Sequence, residues 1–375
     1  MRILIASDKY KGSLSARDVA ETLSQVLITG LPDCEIDLCP IADGGEGTTE
    51  AMITALNGQW IETQTLDAQA RRLNARYGWI AHQQEAVLEM SAASGLALVN
   101  DLPLNPQQAS TEGTGLMILD AMHRGAKKLI IGIGGSATND GGLGMAAALG
   151  YQFLDAQHQA IQPIMAHLHQ LNRIVPPAVV FPEILVACDV DNPLLGPQGA
   201  TRIYGPQKGV TDFAFFEDGL KKLADIAARD LGCDPRLIPG SGAAGGLGYG
   251  LMTFCGAQLI SGFDLISQQI GLEERVAKAD LIITGEGRLD AQTLHGKGPI
   301  GVALMARRLG KAVVAFAGSI DDSPNLRAHF DLAYAIKPSK MTLAQAILEA
   351  RTLLATAAES ALPEIKALLG LAAVQ

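Results

Sequence analysis

The residues best suited to chemistry stand between Lys127 and Gly150, in KKLIIGIGGSATNDGGLGMAAALG. Glycines through this stretch, Gly134 and Gly135 among them, let backbone N–H groups turn toward one point. A helix N-terminus after such a loop adds a positive partial charge. Ser136, Thr138 and Asn139 can donate or accept hydrogen bonds, and Asp140 could hold a cation. A phosphate or nucleotide suits that combination. The competing reading is a tight turn at a strand end, with Asp140 as the helix N-cap.

Charged residues gather near glycines elsewhere. Asp8, Lys9 and Lys11 precede Ser13, and two lysines beside a hydroxyl suit phosphate charge; a solvated loop would look the same. Asp43-Gly44-Gly45-Glu46 could bind Mg²⁺ through oxygen, orient substrate hydroxyls, or cap the next helix. Asp189 stands one step past the apolar ILVAC, a good place for a general base or metal ligand. The alternative there is an Asx turn before Pro193. Arg202 and Lys208, in a glycine-punctuated loop, could clamp an anion. Glu286, Arg288, Asp290 and Lys297 fall within twelve residues, again near glycines. Ser110, Thr111 and Thr114 could touch phosphate or cap a helix. Gly240-Ser-Gly-Ala-Ala-Gly245 fits G-x-G-x-x-G, but Pro235 and Pro239 interrupt any strand leading into it, so its small residues suit close helix packing or backbone approach to a ligand better than a dinucleotide fingerprint.

The elements that must position these residues read as strands followed by loops and helices. Short β-branched or apolar runs predict strands at residues 2–6, 35–40, 129–131, 184–188, 279–284, 312–316 and 332–336. Ser15 with Asp18 predicts a helix start of the capping-box kind, and Val19, Leu23, Val26 and Leu27 continue at helical spacing. Further helices are expected over 50–56, from Ser110 toward Arg124, over 145–149 and 212–231, up to Leu309 from Pro299, and from Thr342. Residues 60–65, 75–80 and 86–89 break this rhythm as short strands joined by turns, an antiparallel section that opens an inserted domain. The charged loops thus lie at strand C-terminal ends, where open α/β sheets bind ligands.

The chain has 375 residues, enough for one large or two ordinary domains, and a net charge of -10 with no basic block. That charge argues against nucleic acid, and 5% aromatics argue against stacking platforms for single strands. An anionic substrate must then be met by aimed lysines, arginines and backbone donors. Cys34, Cys39, Cys188, Cys233 and Cys255 are scattered with no C-x-x-C pair, so they read as small core residues. His158, His167 and His169 have no metal spacing. No apolar run reaches the roughly 20 residues of a membrane span. The expectation is a soluble cytoplasmic protein.

Several segments together resemble the bacterial glycerate kinase type I family. They include SDKYKGSLSA (7–16), PIADGGEGT (40–48), TEGTG (111–115), IGIGGSATNDGG (131–142), ACDVDNPLLG (187–196), GPQKG (205–209) and ITGEGRLDAQTLHGKGPIGVA (283–303). The resemblance runs in order through nearly the whole chain. It implies an α/β fold: a flavodoxin-like parallel-sheet domain of residues 1–60 and 280–375, an inserted mixed α/β domain of 61–279, and an active site in the cleft between them. It implies transfer of the ATP γ-phosphoryl group, with Mg²⁺, to D-glycerate, with 2-phosphoglycerate as product. Under it the 134–142 loop takes ATP phosphates through Gly134, Gly135, Ser136, Thr138, Asn139 and Asp140. Lys9, Lys11, Arg288 and Lys297 stabilise charge. Asp189 is base or metal ligand, and Asp43 a second metal candidate. Asp8, Asp43, Gly44, Gly45, Glu286 and Asp290 attend the substrate. There is neither a G-x-x-x-x-G-K-[ST] nor an H-R-D and D-F-G set, so the site is of neither the P-loop nor the protein-kinase kind. Rival readings are a 3-phosphoglycerate-forming kinase, an NAD-dependent hydroxy-acid oxidoreductase and a non-catalytic sugar-acid binding protein. Oligomeric state is open, a homodimer being one option.

Overall fold

The computed structural model describes residues 1–290, 298–321 and 323–371. Its strands are β1 (Arg2–Ile5), β2 (Glu35–Leu38), β3 (Gln59–Leu66), β4 (Arg72–Ile80), β5 (Glu85–Glu89), β6 (Lys128–Gly132), β7 (Gln152–Leu154), β8 (Arg173–Val175), β9 (Glu183–Ala187), β10 (Gln258–Ile260), β11 (Leu281–Leu289), β12 (Ala312–Ile320) and β13 (Leu332–Ala335). The chain divides into two compact units. One comprises residues 1–43, 50–57 and 263–375, the other residues 44–49 and 58–262.

The first unit holds a five-stranded sheet in the order β2-β1-β11-β12-β13, every neighbour parallel. Counted along this unit's own chain, that order is 2-1-3-4-5, the flavodoxin-like arrangement whose switch point lies between the first and third strands. Ile3, Ile5, Leu281, Ile283, Val314 and Phe316 face one core, with Val19, Leu23 and Leu27 of the helix Ala16–Gly30 and Leu354 and Ala358 of the helix Ala350–Leu368. The alternate residues Leu4, Ile282 and Ala315 are equally buried on the opposite face, as a period of two requires of a sheet covered on both sides. The start of Ala16–Gly30 is a complete capping box: Ser15 accepts from the Asp18 N–H, and Asp18 accepts from the Ser15 N–H.

The strand β11 continues to Leu289 and β12 to Ile320, beyond the expected ends at 284 and 316. Glu286 and Arg288 therefore sit on a strand rather than in a loop after one. Pairing from Gly285 with Phe316 to Leu289 with Ile320 holds this polar extension. Neither half has the apolar run that betrays a buried strand, because glycines and polar residues alternate there with the buried Leu289 and Ala317.

The second unit holds a mixed six-stranded sheet, β10-β9-β6-β5-β4-β3. β3 with β4 and β4 with β5 are antiparallel, while β5, β6, β9 and β10 run parallel. The antiparallel opening agrees with the pattern read from residues 60–89. One large core joins this sheet to the helices Glu112–His123, Phe213–Leu231 and Ala243–Cys255. A separate hairpin, β7 with β8, occupies the region after residue 150. No described helix is long and apolar enough to cross a membrane.

Candidate active site

In the first unit the site candidates cluster where β1 and β11 end. Thr284 Oγ1 donates to the Ala6 carbonyl at 2.7 Å, and Ser7 Oγ donates to the Gly285 carbonyl at 2.9 Å. These bonds stitch the end of β1 to the middle of β11 at the switch point. Asp8 follows, with only 8% of its surface exposed. Its Oδ1 accepts from the Lys9 N–H at 2.6 Å. Lys9 Nζ lies 3.9 Å from Asp8 Oδ1 and 3.8 Å from Asp43 Oδ1, so one ammonium stands between two carboxylates. Burial pushes the Asp8 carboxyl up to about 6, with Asp43 adding to the rise and Lys9 opposing it. Tyr10 is buried and donates to the Phe316 carbonyl at 2.8 Å.

Lys11 is exposed and borders a small open pocket of about 80 Å³, together with Ser13, Ser319, Lys337 and the apolar Leu343 and Ile347. A Cβ at Gly287 would come within 3.2 Å of the Lys11 nitrogen, so glycine there lets β11 pass close beneath the Tyr10–Lys11 backbone. Arg288 reaches both oxygens of Asp321 at 3.2 Å and Asp290 at 3.4 Å, so two carboxylates orient its guanidinium. Glu286 is half-buried on β11. Lys297 lies outside the described residues.

In the second unit the glycine loop follows β6. Gly134 and Gly135 form its exposed tip, whereas Ser136, Thr138, Asn139 and Asp140 are buried. The loop is anchored by Leu96 N–H to the Gly135 carbonyl and Ala137 N–H to the Ser94 carbonyl, both 2.9 Å. Asp140 does not face an open site. Its carboxylate accepts from Thr111 N–H at 2.9 Å, Thr111 Oγ1 at 2.8 Å, and the Gly142 and Gly144 N–H groups at 3.2 Å. Burial still pushes its pKa up, against those donors. Its oxygens serve the start of the helix Leu143–Ala148, whose N-cap position is Gly142 rather than Asp140. Thr111 is likewise taken up inside the loop, its hydroxyl also accepting from Met145 N–H at 2.9 Å. Asn139 donates to Thr201 Oγ1 at 3.0 Å.

Lys208, expected from the sequence to help Arg202 clamp an anion, is 2% exposed. Its ammonium donates to Ser136 Oγ and to the Thr138 carbonyl, each at 2.6 Å. Burial pushes its pKa down to about 7, with Asp140 opposing that fall. The Gly240–Gly245 segment meets the same loop. A Cβ on Gly245 would stand 2.0 Å from the Thr138 carbonyl oxygen, so close packing accounts for its small residues.

Gly44 and Gly45 pack beside this loop. A Cβ on Gly44 would fall 2.5 Å from that of Ala187, and one on Gly134 would fall 3.2 Å from the Gly45 Cα. Glu89, at the end of β5, accepts from the Gly47 N–H at 3.2 Å and the Thr49 N–H at 2.8 Å, and so fixes the 44–49 segment. Sequence reasoning missed Glu89; its one signal was a carboxylate closing an apolar strand. Asp189 lies just past β9, where its Oδ1 accepts from the Gly262 N–H at 3.1 Å and Ser261 Oγ at 3.3 Å. These bonds fix the carboxylate's orientation. Loops at the C-terminal ends of β5, β6 and β9 thus converge in the second unit, as those of β1 and β11 do in the first.

Parallel strand ends carrying glycine loops, lysines and oriented carboxylates suit an α/β enzyme that handles a phosphorylated ligand. The chain belongs to the glycerate kinase family, whose pattern it matches over residues 3–366, and it is a kinase. It is 43% identical to the glycerate 2-kinase of Escherichia coli K12 over 354 residues, 92% of this chain and 93% of the relative. It is 41% identical to the glycerate kinase of Halalkalibacterium halodurans over 96% of both chains. A crystal structure assigned to glycerate kinase 2 of Salmonella typhimurium LT2 superposes with a TM-score of 0.90 at 41% identity, covering 99% of this chain and 100% of that one.

Proposed function

We propose that this chain transfers the γ-phosphoryl group of ATP to D-glycerate, forming 2-phosphoglycerate. The observation that carries this reading is the family match over residues 3–366, which takes in all the loops described above. The relative named glycerate 2-kinase favours the 2-phosphate as product.

Phosphoryl transfer asks for positioning and charge neutralisation more than for covalent chemistry. Gly134 and Gly135 offer backbone donors to the ATP phosphates. The buried side chains of Ser136, Thr138, Asn139 and Asp140 keep the loop in shape beneath them. Lys9 and Lys11, with Arg288 and Lys297, balance the negative charge of the transferring group. Asp189 accepts the proton of the glycerate hydroxyl or holds the metal. Asp8, Asp43, Gly44, Gly45, Glu286 and Asp290 orient the hydroxyl groups of glycerate. Within the first unit Asp43 already pairs with Lys9, which holds that carboxylate beside Asp8.

Mg²⁺ bound with ATP would neutralise triphosphate charge, and Asp43 and Asp189 are the residues that would hold it. Among the described residues no three His, Cys, Asp or Glu side chains form a metal cluster. Isolated carboxylates fit Mg²⁺ all the same, because it completes its shell with water and phosphate oxygens.

The test is ³¹P NMR of the purified protein with ATP, Mg²⁺ and D-glycerate. A phosphomonoester resonance of 2-phosphoglycerate is expected. A 3-phosphoglycerate resonance would keep the kinase and reverse the position of transfer. Untouched ATP with folded protein would overturn the glycerate reading.

A further inference from the structure

The second unit buries a lysine in an unusual setting. Lys208 ends a single turn, Pro206–Lys208, between Gly205 and Gly209. Both glycines are required there: a Cβ on Gly205 would lie 2.3 Å from the Thr201 carbonyl oxygen, and Gly209 has φ +85° with Leu104 Cβ 2.9 Å from a built Cβ. The turn delivers the long side chain inward, beneath the glycine loop. Two neutral oxygens, Ser136 Oγ and the Thr138 carbonyl, receive the ammonium at 2.6 Å. Asp140 is the charged group that acts on it.

A buried ammonium held by neutral acceptors is a poor stabiliser, since desolvating the charge is not repaid by a close counter-ion. The same arrangement suits a site that receives an anion from outside. The ammonium ties Ser136 to Thr138 across one residue and so fixes the turn that presents Gly134 and Gly135. It also places a positive charge in a low-dielectric setting under that exposed tip, where charge acts further than in water.

We propose that Lys208 is a positioning residue for the anion site of the glycine loop, fixing the loop from below and lending its charge to a phosphate bound at Gly134–Gly135. This rests on the reading of that loop as the ATP phosphate site. Because burial pushes the Lys208 pKa down to about 7, an arriving anion should draw a proton onto the fraction of this side chain that stands as neutral amine near pH 7.

The experiment uses the full chain. ADP with Mg²⁺ is titrated calorimetrically near pH 7 in two buffers of different ionisation enthalpy, and steady-state kinetics follow for Lys208→Met, Lys208→Ala and Gly135→Ala. The wild type should take up a fraction of a proton on binding, and Lys208→Met should not. Lys208→Met should raise KM for ATP about tenfold or more while KM for glycerate moves less than about twofold. Propylammonium should restore part of the ATP affinity to Lys208→Ala, whose truncation leaves room for it. If Lys208→Met fails to fold, buffer-dependent proton uptake by the wild type still decides. Gly135→Ala checks the underlying reading, since its φ of +75° strains any side chain at the tip. An unchanged KM for ATP in Gly135→Ala would overturn the loop as the phosphate site, and the Lys208 proposal with it. A raised KM in Gly135→Ala beside an unchanged KM in Lys208→Met, or wild-type binding without proton uptake, would overturn the Lys208 proposal alone.

Discussion

Asp8→Asn should make the protein more stable and less active at neutral pH. The Asp8 carboxyl rises from its ordinary 3.8 to about 6 because it is buried at the end of β1. At about 1.4 kcal/mol per tenfold change in proton affinity, that rise is about 3 kcal/mol of folding free energy forfeited when the group ionises. The sign follows from linkage. The folded state binds the proton more tightly than the unfolded state, so between about pH 4 and pH 6 it carries more protons and stability falls as pH rises. Asparagine carries no such charge. Its amide oxygen can still accept from the Lys9 N–H, now 2.6 Å from Oδ1. The attraction of the Lys9 ammonium at 3.9 Å is already counted in that net rise, so losing it with the charge changes nothing further. The net expectation is a gain of about 1–3 kcal/mol at about pH 7.5, vanishing near pH 4, read from urea midpoints and slopes at several pH values. Catalytic efficiency should fall at least about tenfold, the worth of one charge-assisted hydrogen bond. A variant less stable than wild type at neutral pH, or a stability difference that does not vary with pH, would refute the reasoning.

Three further outcomes are expected. Asp189→Asn should fold normally, since its oxygen can still accept from Gly262, and lose about 10²–10⁴-fold in kcat if it is the base; a near-normal kcat sinks that role. Gly245→Ala combines φ +68° with a Cβ 2.0 Å from the Thr138 oxygen. The left-handed backbone alone costs about 1–2 kcal/mol, so with the overlap a loss of about 3 kcal/mol is expected by calorimetry, with weaker ATP binding. Chelation with EDTA should abolish phosphoryl transfer and added Mg²⁺ should restore it; turnover that survives exhaustive chelation would remove the metal from the scheme.

Much of the fold was legible because buried parallel strands are written as apolar runs: RILI, LIIG and ILVA each fell where strands lie. The Ser15 cap was legible because both its partners are local. What depends on distant residues was not. The extension of β11 through Gly-Glu-Gly-Arg looks like loop, and only the register with β12 makes it strand. Lys208 and Arg202 read alike in a polar loop, yet one is buried under Ser136 and Thr138, 72 and 70 residues away in the chain. For Asp140 the glycine-rich sequence favours a ligand over a cap, while the structure has Thr111 and the glycines after it donating to its oxygens. In each case chemistry-bearing residue types were visible, and their partners decided what they do.

The sheet of the first unit has a consequence for how the protein is made. Its first strand, β1, is an inner strand, yet its partner β11 begins at Leu281, opposite Ile3. As the chain leaves the ribosome, β1 and β2 emerge long before the strand that must close against them. The second unit ends at Gly262 and is complete before β11 appears. Synthesis therefore leaves a half-sheet waiting while an entire inserted unit folds. A holding factor at the nascent N-terminus, or a pause in translation once residue 262 is clear of the tunnel, would act on that interval, when exposed apolar edges invite misassembly.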